Sequence, residues 1–163
     1  MTETHAIHWA LLASTLALAS LLLPSCGDDD DGGCRGGCEC RGDECVCPST
    51  GDCAVECVAD CELQCAGSGD CYFGCGDDCL TTCTGSGNCI IDVGEGSAVE
   101  CTGAGDCDIA CHGDCSVHCP GSGDCIVRCH EGVVCDFEAC ERNAIECPDG
   151  VLVCGGGECD DSR

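Results

Sequence analysis

The chain has 163 residues, 27 of them cysteine and 25 glycine, and a formal net charge of −26 from 31 acids against five arginines and no lysine. A field of that sign excludes nucleic acid and anionic membrane surfaces as direct partners. Tyr72, Phe73 and Phe137 are the only aromatics beyond residue 25, which excludes a conventional core of large apolar side chains. Covalent cross-links must stand in for that core, and the cysteine density is that of an exported disulfide scaffold.

Residues 1–25 read as a signal peptide. The apolar run from Ala10 to Leu23 is too short to cross a bilayer comfortably and has the length of an export signal's apolar stretch. It ends in Leu23-Pro24-Ser25-Cys26, which resembles a bacterial lipobox, the tetrapeptide whose cysteine is acylated and becomes the new N-terminus. The one departure is that "MTETHAIHW" carries no Lys or Arg ahead of the run. The resemblance implies lipidation at Cys26 and a protein anchored in a bacterial outer membrane or at the cell surface; without acylation it would be periplasmic or secreted. Gly27 to Gly33, "GDDDDGG", has nothing to bury, so residues 26–33 form a solvated acidic tether. Setting Cys26 aside leaves 26 cysteines, enough for 13 disulfides.

Residues 34–52 hold the dense, irregular "CRGGCECRGDECVC" and read as an N-terminal cap. From 53 to 142 the chain repeats. "GDC" at Cys53, Cys71, Cys107 and Cys125 and "GNC" at Cys89 mark an unbroken period, the step from Cys53 to Cys71, which is the sign of a solenoid. Cysteines follow at intervals of four: Cys53, Cys57, Cys61, Cys65; Cys71, Cys75, Cys79, Cys83; Cys107, Cys111, Cys115, Cys119; and Cys125, Cys129. The third unit keeps Cys89 and Cys101, with Val93 and Ser97 at the inner positions. Val55, Leu63, Phe73, Thr81, Ile91, Val99, Ile109, Val117 and Val127 lie midway between these positions, so the true pattern is apolar at every second residue, which is strand. Gly with Asp or Asn between the half-units supplies turns. The expected fold is all-β: a disulfide-stapled β-solenoid of about five 18-residue coils, two short strands per coil, with coils about 4.8 Å apart and irregular cysteine-rich caps. Val133, Cys135 and Phe137 keep the alternation in the fifth unit, and Ile145, Cys147, Val151 and Val153 extend it toward a degraded sixth. Residues 143–163 form the C-terminal cap and tail.

The loss of both inner cysteines in the third unit fits bonding within a coil, Cys107 with Cys119 and Cys111 with Cys115. Bonds between neighbouring coils, such as Cys57 with Cys75 and Cys111 with Cys129, are the competing scheme. Sequence leaves both open.

Thiolate metal binding needs closely paired ligands in a reducing compartment. Such pairs occur only at Cys38/Cys40 and Cys45/Cys47, and export favours disulfides. The aspartates are the other metal candidates. Asp52, Asp70, Asp106 and Asp124 precede the first cysteine of their units, and Asp60, Asp78 and Asp114 precede the third. A solenoid would stack them, and bound Ca²⁺ would relieve their repulsion. The Gly-rich turn followed by Asp resembles the calcium-binding β-roll of repeats-in-toxin proteins, although "GSGDC" departs from that family's spacing. The alternative is that each Asp caps its own turn through backbone N–H groups. His112 and His130 occupy one coil position a unit apart, which reads as solvated turn sooner than as a metal pair. The outward strand positions form no Thr rank for ice, and Ser68, Ser86 and Ser122 lack a consistent His–carboxylate partner. The chain is thus expected to be no enzyme and to need no cofactor, Ca²⁺ being the one candidate. It should act as a structural or interaction module of the cell envelope that meets an unidentified protein or surface, with a Ca²⁺-binding solenoid as the alternative. In its lipobox, acidic tether and repeat it resembles the cysteine-rich repeat lipoproteins of Gram-negative bacteria.

Overall fold

A computed structural model describes the backbone of residues 32–35 and residues 37–138, 145–147 and 150–155 in full. The expected signal peptide, Cys26 and most of the acidic tether lie outside the described residues. In chain order the strands are β1 (Gly32–Arg35), β2 (Glu39–Arg41), β3 (Glu44–Val46), β4 (Cys53–Ala59), β5 (Glu62–Cys65), β6 (Cys71–Asp77), β7 (Leu80–Cys83), β8 (Cys89–Val93), β9 (Ser97–Cys101), β10 (Cys107–Cys111), β11 (Cys115–His118), β12 (Cys125–Cys129), β13 (Cys135–Glu138), β14 (Ile145–Glu146) and β15 (Leu152–Cys154). No helix occurs among the described residues.

The strands form two sheets, β1-β4-β6-β8-β10-β12-β15-β14 and β13-β11-β9-β7-β5-β3-β2. Consecutive coils pair in parallel, each shifted by one full repeat: Cys53 on Cys71, Cys71 on Cys89, Cys89 on Cys107 and Cys107 on Cys125. The fold is therefore a β-solenoid of about five turns. Parallel stacking starts early in the second sheet, where β3 already pairs with β5. Antiparallel strands close both ends: β1 lies on β4, β2 on β3, and β15 on β12. Because β15 runs against β12, with Cys125 opposite Cys154, and β14 pairs antiparallel with β15, these two strands form a cap and not a sixth coil.

Period-two alternation places six positions of each coil inside. In the fourth coil Cys107, Ile109, Cys111, Cys115, Val117 and Cys119 are all buried, and Asp108, Ala110, Ser116 and His118 face outward. The interior is one side chain deep, with aliphatic groups in the middle and cysteines at both edges. Ten disulfides among the described residues bind the cysteines to their sequence neighbours. At one corner Cys57–Cys61, Cys75–Cys79 and Cys111–Cys115 span the turn within a coil. At the other, Cys47–Cys53, Cys65–Cys71, Cys83–Cys89, Cys101–Cys107 and Cys119–Cys125 span the turn to the next coil, with Cα atoms 6.0 to 6.7 Å apart.

The Cys111–Cys115 expectation matches, but Cys119 joins Cys125 and not Cys107, and the rungs Cys57/Cys75 and Cys111/Cys129 are not bonded. The reason is the helical rise. Cys119 stands two thirds of a repeat past Cys107 and one third before Cys125, so with an even rise it lies about 3.2 Å above the first and about 1.6 Å below the second. The strands also converge at the corners, which gives disulfide-compatible spacing that the middle of a two-sheet stack lacks.

Two local substitutions follow the same logic. In the third coil, Val93 fills one vacated cysteine position, and the Ser97 hydroxyl accepts from the Cys79 N–H at 3.1 Å and donates to the Gly76 carbonyl at 3.2 Å. In the fifth, two extra turn residues shift the register so that Cys135 lies on Cys115, and the corner bridge becomes Cys129–Cys135.

Thr81 occupies a central core position and is fully buried, yet its hydroxyl has no hydrogen-bond partner. Thr81→Val keeps the shape and removes the stranded group. It is expected to stabilise the oxidised protein by about 1–2 kcal/mol, read as a higher denaturant midpoint with unchanged slope.

Candidate functional site

The seven expected metal-ligand aspartates lie at the two corners, while other charged side chains, such as Glu56, Glu100 and Asp108, stand on the strand faces. At the corner that leads to the next coil, "GD" or "GN" precedes each strand, and the stacked acids form a ladder. The Oδ1 of Asp52 accepts the backbone N–H of Asp70 at 3.0 Å, Asp70 accepts from Asn88 at 2.9 Å, Asn88 from Asp106 at 3.0 Å, and Asp106 from Asp124 at 2.9 Å. These side chains therefore do cap turns, but the turn of the following coil and not their own. Backbone bonds between the same turns, such as Cys89 N–H to Asp106 and Cys107 N–H to Asp124, both at 2.8 Å, fix the stacking that makes this reach possible.

Asn88 is not among the expected acids, although "GNC" marks its place. It shows that a neutral carbonyl oxygen serves as well as a carboxylate, and it interrupts a row of like charges. Asp70→Ala is accordingly expected to cost about 1 kcal/mol, while Asp70→Asn is neutral or slightly stabilising, measured as midpoint shifts in denaturant unfolding.

The remaining expected acids sit at the opposite corner and do different work. Asp60 and Asp78 adopt left-handed backbone, φ 58° and 57°, and Gly96 takes the same position with φ 75°. Asp tolerates that conformation better than most L-residues. Asp114 reaches one coil up, its Oδ1 accepting the Val134 N–H at 2.9 Å, and Asp77, which the sequence does not single out, accepts from the Glu95 N–H at 2.9 Å. The seven expected metal ligands are thus divided between two corners, four at one and three at the other. Those whose side-chain bonds are described serve the backbone of the next coil.

Among the described residues, every group of three or more Cys, His, Asp or Glu ligand atoms lying within 4.8 Å of one another consists of cysteine sulfurs, for example those of Cys65, Cys71 and Cys89. Each of these sulfurs is in a disulfide. No described cysteine is free.

One corner face is shallow and lined by small residues, among them Ser68, Thr84, Ser86, Thr102 and Ser122. The strand-edge side of the opposite corner carries polar groups from successive coils: Asp92, His112 and His130, with Arg128 paired to Asp108 nearby. Comparison with protein-family models, with curated proteins and with solved structures gave no match.

Proposed function

We propose that this chain is a non-enzymatic, lipid-anchored module of a bacterial envelope, a short rigid rod held off the membrane by an acidic tether. The observation that supports it best is the bridging state. All cysteines among the described residues are bonded, and a frame that depends on disulfides persists only in an oxidising compartment. The lipobox-like Leu23-Pro24-Ser25-Cys26 supplies the anchor, and the five stacked coils give a rod about 24 Å long. Its outward strand faces mix Glu56, Tyr72, Ile90, Asp108 and Glu100, a surface suited to a protein partner more than to anionic lipid or nucleic acid.

Acyl labelling tests this in a bacterial host with a lipoprotein-processing pathway. Wild-type protein should incorporate fatty acid and sediment with the membrane, and Cys26→Ser should do neither. A wild type that is unlabelled and soluble would overturn the anchored form. Calcium is the competing proposal, and it requires that chelation loosen the coils. Circular dichroism of the oxidised protein, with calcium added and then chelated, should instead be unchanged.

A further inference from the structure

Three exposed side chains from three successive coils meet beside one corner. Asp92 stands near the end of β8, His112 directly after β10, and His130 directly after β12. His112 Nε2 lies 3.5 Å from Asp92 Oδ1, and the His112 and His130 rings are 5.0 Å apart between centres, tilted by 39°. The placement is built into the solenoid: the His112 N–H donates to the Val93 carbonyl at 2.8 Å, and the His130 N–H to the Cys111 carbonyl at 3.1 Å. The backbone of each histidine is therefore fixed one rung from the next polar group, while its exposed ring keeps rotamer freedom.

We propose that Asp92, His112 and His130 form a surface site for a divalent transition-metal ion of the imidazole-preferring class, Zn²⁺ or Cu²⁺. Two neutral imidazoles and one carboxylate suit those ions. Metal–ligand distances of about 2.0–2.2 Å put neighbouring ligand atoms of a tetrahedral ion about 3.4 Å apart, close to the 3.5 Å between His112 Nε2 and Asp92 Oδ1. The His130 nitrogens do not lie within 4.8 Å of both other ligand atoms, so binding requires this exposed side chain to rotate toward the pair, with water completing the shell. Arg128, two residues before His130, is committed to Asp108, which leaves Asp92 to the imidazoles. The net charge of −26 concentrates cations at the surface. A simple His112–Asp92 ion pair, by contrast, gives no role to a second imidazole 5.0 Å from the first and tilted by 39°.

The test is titration of the tag-free, oxidised mature protein, without residues 1–25, with Cu²⁺ followed by electron paramagnetic resonance, and with Zn²⁺ followed by proton NMR of the histidine rings. One equivalent should bind, with nitrogen coupling in the copper spectrum and shifts at the His112 and His130 ring signals. His112→Gln and His130→Gln should each weaken binding by about tenfold or more, on the scale seen when support to a metal site is lost. Asp92→Asn should weaken it less. His118→Gln should leave it unchanged. Copper held only through oxygen, or affinity unaffected in the His112→Gln/His130→Gln double variant, would overturn the site and assign the binding to the acidic surface. Because both histidines are exposed turn residues, an unchanged far-ultraviolet spectrum confirms that each variant is folded.

Discussion

Reduction of the disulfides is expected to unfold the solenoid outright. The described bridges close loops whose ends are only four to six residues apart, and in the chain-entropy model each such loop stabilises by about 2 kcal/mol. Ten of them together exceed the roughly 5–15 kcal/mol net stability of an ordinary domain. What remains after reduction is essentially one pair of central side chains per coil, such as Ile109 and Val117. That is too little to offset the entropy of ordering a whole coil of backbone. Adding a dithiol reductant without alkylation should abolish the β-type circular dichroism spectrum at a temperature where the oxidised protein is unaffected. A reduced chain that keeps that spectrum would mean that backbone stacking alone carries the fold.

The second large effect is expected from a methyl group at a corner that looks, in sequence, like a permissive turn. The coils stack so tightly at "GSGD" and its variants that a Cβ on Gly105 would overlap the carbonyl oxygen of Gly87, and one on Gly87 would overlap that of Gly69. The neighbour in each case is backbone, which has no rotamer to escape by. Gly105→Ala is therefore expected to cost at least about 3 kcal/mol, the upper range for overpacking. Ala104→Ser, one residue away, should be near neutral, since Ser68, Ser86 and Ser122 occupy the same position in other coils. Denaturant unfolding of the oxidised proteins measures both, and hydrogen exchange at the amides of Ser86, Ala104 and Ser122 reports any local loss of stacking.

The contrast between these two residues shows what the sequence could and could not convey. The repeat period and the alternation through Val55, Ile91, Ile109 and Val127 are legible because they depend on spacing along the chain alone, whereas Cys111–Cys115 is one of two pairings that the spacing allows. The partner of Cys119 is not legible, because Cys107 and Cys125 occupy the same corner one rung apart, and only the distribution of the rise chooses between them. The aspartates read as a row, but the identity of their donors is hidden for the same reason: Asp70 bonds to Asn88, one full repeat on, and not to its own turn. Cys135 escapes the period because two inserted residues restore the bridge by breaking the count. The reversal at β15 leaves no periodic trace, since alternation looks alike in either chain direction. At the polar corner, His112 and His130 share a column, but Asp92 stands two positions out of register with them in the coil below, so no repeat alignment joins the three.

The coils are stapled at their corners by bridges between sequence neighbours, at both corners except in the third coil, where Val93 and Ser97 replace the inner pair, so that no bridge crosses another. Mapping by cleavage at aspartates without reduction, followed by mass spectrometry of the linked peptides, tests this bridging pattern directly. The expected map contains Cys101–Cys107, Cys111–Cys115 and Cys119–Cys125. Recovery of a Cys107–Cys119 or Cys111–Cys129 peptide from native protein would contradict it.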